Sequence, residues 1–234
     1  MQKISCPLRG VKQLTNDVWE YDFAFGDTPV DFKAGQFFML SIPGQEKPVN
    51  RSYSVASPPS KDGFLLCVKL IPDGLGSNYL KEMNVGDTAE FMAPAGHFVL
   101  QDSKKETIMI ATGTGLAPFM SMLPIAFERG DTQPITLYFG CRHEKDLFYI
   151  DQLRKWEEEY ENFTAVVCLS QPDEEWIGGD GRVTDLLESH PIDAADTKVY
   201  ICGNGNMVKD VRSMMLETGL TKEDIHFELF TPIT

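Results

Sequence analysis

Through much of the first hundred residues, hydrophobic side chains recur at every second position. Trp19, Tyr21, Phe23 and Phe25 alternate with Glu20, Asp22 and Ala24, the spacing of a strand that buries one face. Shorter runs lie at 36–42, 51–57, 64–71 and 88–92, divided by Pro43-Gly44, Pro58-Pro59 and Asp62-Gly63, which are turn-forming pairs. Short strands at this spacing predict a small antiparallel Greek-key β-barrel. One helix is predicted among them, at 77–83, ended by the segment 84–87.

The period changes after the polar run at 101–106, which reads as a linker between a domain at 1–101 and a second at 102–234. Apolar runs at 107–111, 135–140, 163–169, 198–202 and 225–230 alternate with predicted helices at 117–129, 147–160, 183–189 and 207–218. That alternation predicts βαβ units and an α/β domain with a parallel sheet. Pro124 falls inside the first of these helices and is expected to kink or shorten it. Residues 107–127 are uncharged and long enough for a membrane span. Their glycines, prolines and threonines instead divide them into strand, loop and helix, so no transmembrane segment is expected.

Composition narrows the function. At 42% hydrophobic, the chain of 234 residues can form two cores. A formal net charge of -14, with no Lys/Arg stripe, argues against nucleic acid and against an acidic membrane surface. Cys6, Cys67, Cys141, Cys168 and Cys202 are odd in number and form no C-x-x-C pair, so neither a disulfide framework nor a zinc site is expected. With no signal-peptide layout at the start, a reducing, cytoplasmic location is expected. His97, His143, His190 and His226 lack metal-ligand spacing and read as satisfied or solvated.

Candidate chemistry sits in a few stretches. Arg51, Ser52, Tyr53 and Ser54 put a cation, two hydroxyls and an aromatic ring on one strand, with Arg51 and Tyr53 on one face and the two serines on the other. That suits a flat, phosphate-bearing ligand. Thr112-Gly113-Thr114-Gly115-Leu116-Ala117-Pro118 runs from strand into helix. Its glycines admit close backbone approach, and a helix start offers N–H groups to a pyrophosphate. Cys202-Gly203-Asn204-Gly205-Asn206-Met207 ends one strand and opens the last long helix, at the carboxyl end where ligands gather. His226-Phe227-Glu228-Leu229-Phe230 forms a last strand.

These stretches, with Cys67–Leu80 (CVKLIPDGLGSNYL) between the first two, follow the order found in flavoprotein reductases. The chain resembles the ferredoxin-NADP reductase superfamily over nearly its whole length. The resemblance implies a flavin-binding barrel holding FAD, followed by a nicotinamide-binding α/β domain using NADH or NADPH. It implies that Arg51 binds the flavin pyrophosphate, Ser52 shares its strand, Tyr53 packs on the isoalloxazine and Ser54 lies near flavin N5. Gly76 and Ser77 support the diphosphate, and Val68, Lys69 and Leu70 line the flavin with backbone. Thr112, Gly113, Thr114, Gly115 and Pro118 cradle the dinucleotide, with Arg142, Ser170, Gly203 and Met207 around it. Cys202 lies beside nicotinamide C4, Glu228 completes the polar network at Ser54, and Phe230 covers the flavin. Thr231 to Thr234 follow Phe230, whereas the plant enzymes end on the covering ring. The resemblance implies no metal.

The plant pattern has an arginine directly after the serine matching Ser170. Here Gln171 follows, then Asp173, Glu174 and Glu175, which favours NADH unless Arg142 or Arg182 substitutes. With no C-x4-C-x2-C set in the chain, any iron–sulfur centre is expected in a separate ferredoxin-type acceptor. Alternatives are a reductase of free flavin, a kinship with NADH-cytochrome b reductases, and a flavin-binding relay subunit.

Overall fold

The computed structural model describes residues 1–26 and 29–230. The described residues form two compact units, one of 1–101 with 117–126, the other of 102–116 with 127–230. The first is the expected antiparallel barrel. Its strands are β1 (Gln2–Gln13), β2 (Val18–Ala24), β3 (Phe37–Ile42), β4 (Val49–Ser54), β5 (Gly63–Lys69) and β6 (Thr88–Ala95), with helix α1 (Leu75–Glu82) between the last two.

The strands lie in the order β4-β3-β6-β1-β2-β5. The sheet curls until its two ends meet, at the Val55–Leu66 bridge and the Ala56 N–H bond to the Leu65 carbonyl at 2.8 Å. Phe23, Phe25, Phe38, Phe64 and Phe91 fill the interior with edge-on and tilted ring pairs whose centroids lie 4.6–6.3 Å apart, spacings that favour aromatic contact.

β1 is the strand that the periodicity leaves out. Ile4, Cys6 and Leu8 alternate inward, but Pro7 and Gly10 carry the signature of a break. A register shift between Leu8 and Gly10 lets the strand continue past them.

The second unit holds the parallel strands β7 (Glu106–Thr112), β8 (Ile135–Cys141), β9 (Phe163–Leu169), β10 (Gly179–Asp180), β11 (Thr197–Asn204) and β12 (Ile225–Phe230). Between them come α2 (Ala117–Glu128), α3 (Ile150–Glu159), α4 (Val183–Leu187) and α5 (Gly205–Glu217). Strand order is β10-β9-β8-β7-β11-β12. The chain therefore builds outward from β7 in one direction and returns to lay β11 on its other side. That reversal is a topological switch point, whose carboxyl-end crevice is where open α/β sheets bind ligands.

Pro124 neither ends nor shortens α2. It forfeits one backbone hydrogen bond, a cost of about 3 kcal/mol. Full burial of Phe119, Met122, Leu123 and Ala126 exceeds this at about 1.5–3 kcal/mol for each large side chain. Residues 117–126 group with the barrel because Phe119 meets Phe98, ring centroids 5.9 Å apart, and Met122 lies over Gly35, where a Cβ would come within 2.2 Å of its methyl.

Phe64 contacts four of these rings. Phe64→Ala is expected to destabilise the protein by about 3–5 kcal/mol, read as a lower urea midpoint, while Phe64→Leu costs less; equal midpoints for Phe64→Ala and wild type would refute the aromatic core as the barrel's main support.

Candidate functional site

Each unit presents its own set of functional side chains. In the barrel, β4 pairs with β3 on one side only, with Arg51 opposite Leu40 and Tyr53 opposite Phe38. Its other edge has no strand partner among the described residues before the Val55 bridge. Burial alternates as the sequence predicts for three of the four residues: Arg51 and Tyr53 are half-buried and Ser52 is exposed. Ser54 is buried at 4% exposure, where the strand enters the closed part of the barrel.

The start of α1 packs against this edge. A Cβ on Gly76 would lie 2.2 Å from the Tyr53 hydroxyl and 3.3 Å from Arg51 Cγ, so only glycine lets the helix approach this closely. Burial pushes the Tyr53 phenol up to about 12, with Arg51 opposing and Tyr21 adding to the shift; the ring is a neutral packing surface. Ser77 Oγ accepts the Ile71 N–H at 2.8 Å, and Gly74 N–H bonds the Ile71 carbonyl at 3.0 Å. The Ser77 hydroxyl thus holds the turn as an acceptor.

The N–H groups of Leu75, Gly76 and Ser77 open the helix with no acceptor among the described residues, as first-turn amides do. Beside them, Arg51 donates to the Asn50 carbonyl at 3.0 Å and pairs with no carboxylate among the described residues. A guanidinium and three free amides, closed in by a glycine, form a donor set suited to a pyrophosphate.

Of Val68, Lys69 and Leu70, at and just past the end of β5, Val68 is buried. Lys69 bonds Asp17 at 2.8 Å, and the Leu70 N–H donates to the Asp17 carbonyl at 2.7 Å. Asp17 therefore ties the Lys69 side chain and the Leu70 amide to the turn before β2. No sequence pattern marks it, because its role depends on β2 lying beside β5.

In the second unit, the turn after β7 is a 3-10 segment, Gly113–Leu116, that leads directly into α2, so Pro118 is the second residue of that helix. The two glycines of the turn do different work. Gly113 has φ +53° and open space where a Cβ would stand, as backbone meeting a ligand requires. Gly115 faces the protein: a Cβ there would lie 2.3 Å from the Cys202 carbonyl oxygen and 2.6 Å from Gly203 Cα. Gly203 has φ +138°, and a Cβ on it would strike Thr112 Oγ1 at 2.4 Å. Thr112 Oγ1 in turn accepts the Asn204 N–H at 3.1 Å. The ends of β7 and β11 thus interlock at the switch point, and the Thr112 hydroxyl is part of the lock.

Cys202 is fully buried. Burial, and then the charge of Glu228, hold its thiol well above the usual range. The two are register partners across β11 and β12. Ile225, Phe227 and Leu229 lie on the α5 side of β12, with Phe227 under Arg212 at 5.0 Å, so Glu228 and Phe230 face the other way, with Cys202. Asn204 caps α5 by accepting the Asn206 N–H at 3.0 Å. Met207 belongs to the core cluster that holds Ile110, Ile201 and Val211. Thr114 stands in the turn itself. Arg142 and Ser170 follow β8 and β9 and are exposed; Ser170 N–H bonds the Cys141 carbonyl at 3.1 Å. Thr231 to Thr234 lie outside the described residues.

Two family models match the chain: an oxidoreductase FAD-binding domain over residues 5–100 and an oxidoreductase NAD-binding domain over 109–213. The reductase component of phenol 2-monooxygenase from Pseudomonas sp. (strain CF600) is 35% identical over 211 residues, 87% of this chain and 59% of the relative. The chain thus spans about three fifths of that relative's length. The anthranilate 1,2-dioxygenase electron transfer component of Acinetobacter baylyi is 31% identical over 97% of this chain and 67% of its own. Among solved structures, a ferredoxin NADP+ reductase from Neisseria gonorrhoeae with bound FAD and NADP matches 98% of this chain and 99% of its own, at TM-score 0.87 and 25% identity. The Amycolatopsis cytochrome P450 reductase GcoB matches at TM-score 0.90 and 26% identity, over 99% of this chain and 70% of its own. No helix among the described residues is long and apolar enough to cross a membrane. A barrel matched by an FAD-binding domain, a switch-point sheet matched by an NAD-binding domain, and relatives that share both place this chain in the ferredoxin-NADP reductase superfamily.

Proposed function

We propose that the protein is a flavoprotein reductase that takes reducing equivalents from a reduced nicotinamide, NADH by preference, and delivers them to a separate electron-carrier protein of ferredoxin type. The observation that carries this reading is the anion-ready start of α1 beside Arg51, which has no carboxylate partner among the described residues, in a chain that also carries a dinucleotide-type switch point.

FAD, when bound, accepts a hydride and can release its electrons one at a time, which lets it join a two-electron donor to a one-electron carrier. Arg51 and the first-turn amides of α1 would hold its pyrophosphate, and Tyr53 would offer a neutral aromatic face to its ring system. Ser54, Cys202 and Glu228 would shape the reacting end without covalent bonds. A thiol that burial keeps protonated is a poor nucleophile, so Cys202 acts by contact and position. Gly113 would admit the dinucleotide phosphates to the end of β7. Phe230, half-buried at the end of β12, would cover the flavin and move aside for the nicotinamide.

The preference for NADH rests on Gln171 standing where the plant pattern has arginine, followed by the exposed Asp173, Glu174 and Glu175. A missing charge-assisted bond to a 2'-phosphate is worth about 1.5–3 kcal/mol, and the carboxylates add repulsion. The protein-carrier acceptor is supported by relatives named as reductase or electron transfer components of oxygenases.

A panel of acceptors tests the reading. With NADH, the yellow protein should reduce a ferredoxin faster than free FMN; a colourless protein that consumes only free FMN would be a free-flavin reductase instead. Arg51→Ala should lose most of its flavin on desalting while its flavin-free form melts with the flavin-free wild type, and full occupancy would count against the pyrophosphate role. Cys202→Ala should slow flavin reduction by about ten- to a hundredfold, the scale of misplacement, and Cys202 should resist iodoacetamide at pH 8. An unchanged rate, or rapid alkylation at Cys202, would remove it from the site. kcat/KM should favour NADH over NADPH by about tenfold to a hundredfold; parity would overturn the Gln171 argument.

A further inference from the structure

The exposed turn after β9 is tied to the turn after β8 by more than the sheet. Two backbone bonds extend the ladder past the strand ends: Ser170 N–H to the Cys141 carbonyl at 3.1 Å and Gln171 N–H to the Arg142 carbonyl at 2.9 Å. A side chain then closes the pair from the other side. His143 Nδ1 lies 2.9 Å from the Gln171 carbonyl. A carbonyl oxygen only accepts, so Nδ1 carries the proton. The backbone of His143 is itself held, its N–H bonding the Asp146 carboxylate at 3.1 Å and its carbonyl accepting the Asp146 N–H at 3.0 Å.

Gln171 is thus gripped on both its N–H and its carbonyl by consecutive residues, Arg142 and His143, from a neighbouring turn. An exposed turn at the carboxyl end of a sheet does not need this for the fold, since β8 and β9 are already paired over seven registers. What the grip fixes is the orientation of Ser170 and Gln171 relative to Arg142.

We propose that His143 is a positioning residue for nucleotide binding: its Nδ1–H holds the Ser170–Gln171 turn in the geometry that receives the adenosine ribose of the dinucleotide. This rests on the functional reading above, which puts the ribose and the choice between NADH and NADPH at this turn. His143 touches no reacting atom, so its removal acts on affinity. Contacts to the distant half of a substrate that are equal in ground and transition states change KM and leave kcat in place.

The test compares wild type, His143→Ala and His143→Asn. Asparagine carries an N–H donor on its γ carbon, where histidine carries Nδ1, so it can restore the bond to the Gln171 carbonyl. Calorimetric binding of ADP-ribose, which lacks the nicotinamide ring, reads the effect without turnover; NADH oxidation with ferricyanide gives KM and kcat. His143→Ala should weaken ADP-ribose binding and raise KM for NADH by about three- to tenfold, the range for one neutral hydrogen bond. kcat should change less than about twofold, the melting temperature should be unaltered, and His143→Asn should recover most of the loss. Unchanged binding in His143→Ala, or a loss that His143→Asn does not recover, overturns the inference while leaving the reductase reading intact. Wild-type protein that binds no ADP-ribose and oxidises neither nicotinamide overturns both.

Discussion

The second unit depends on how closely the turn after β7 can approach the end of β11. Gly115 rests on the Cys202 carbonyl and Gly203 rests on Thr112, distances that any side chain at either glycine would forbid. The Thr112 hydroxyl adds a hydrogen bond across the same gap. Because β7 and β11 flank the switch point, this contact sets where Gly113 presents its backbone and where Cys202 stands. The exposure of the Gly113 backbone and the placement of the thiol are consequences of one packing constraint.

The barrel follows a different logic. Its closure is local, at Val55 and Leu66, and this leaves the earlier part of β4 as an edge. Edge strands are usually a hazard, since unpaired backbone invites another chain. Here α1 packs against that edge through Gly76, and its own opening amides stand beside Arg51. The polarity that would make the edge adhesive is gathered instead beside a guanidinium and the opening turn of a helix.

Much of this was legible in the sequence because periodicity reports burial. The alternation in β2, the apolar runs of the parallel strands and the long helices α2, α3 and α5 all declared themselves. β1 did not, since Pro7 and Gly10 look like breaks unless the register shift is known. Some residues also carry structural roles that local pattern does not report. Gly115 lets the turn after β7 pack on the end of β11, the Ser77 hydroxyl accepts the Ile71 N–H, the Leu70 amide bonds Asp17, and the Met207 side chain joins the core. Local pattern identifies which residues can do chemistry, while strand order decides which are left free to do it.

The grouping of residues 117–126 with the barrel has a consequence for how such a chain can be divided. A cut at the polar linker near residue 101 separates the halves by sequence, yet it leaves Phe119 without Phe98 and Met122 without Gly35. A fragment from residue 102 onward would carry an apolar helix stripped of part of its cover, and the barrel fragment would lose the ring that seats Phe98. The boundary that composition draws along the chain is therefore different from the boundary along which the protein could be taken apart, and the segment that makes them differ is the one that continues directly from the turn after β7.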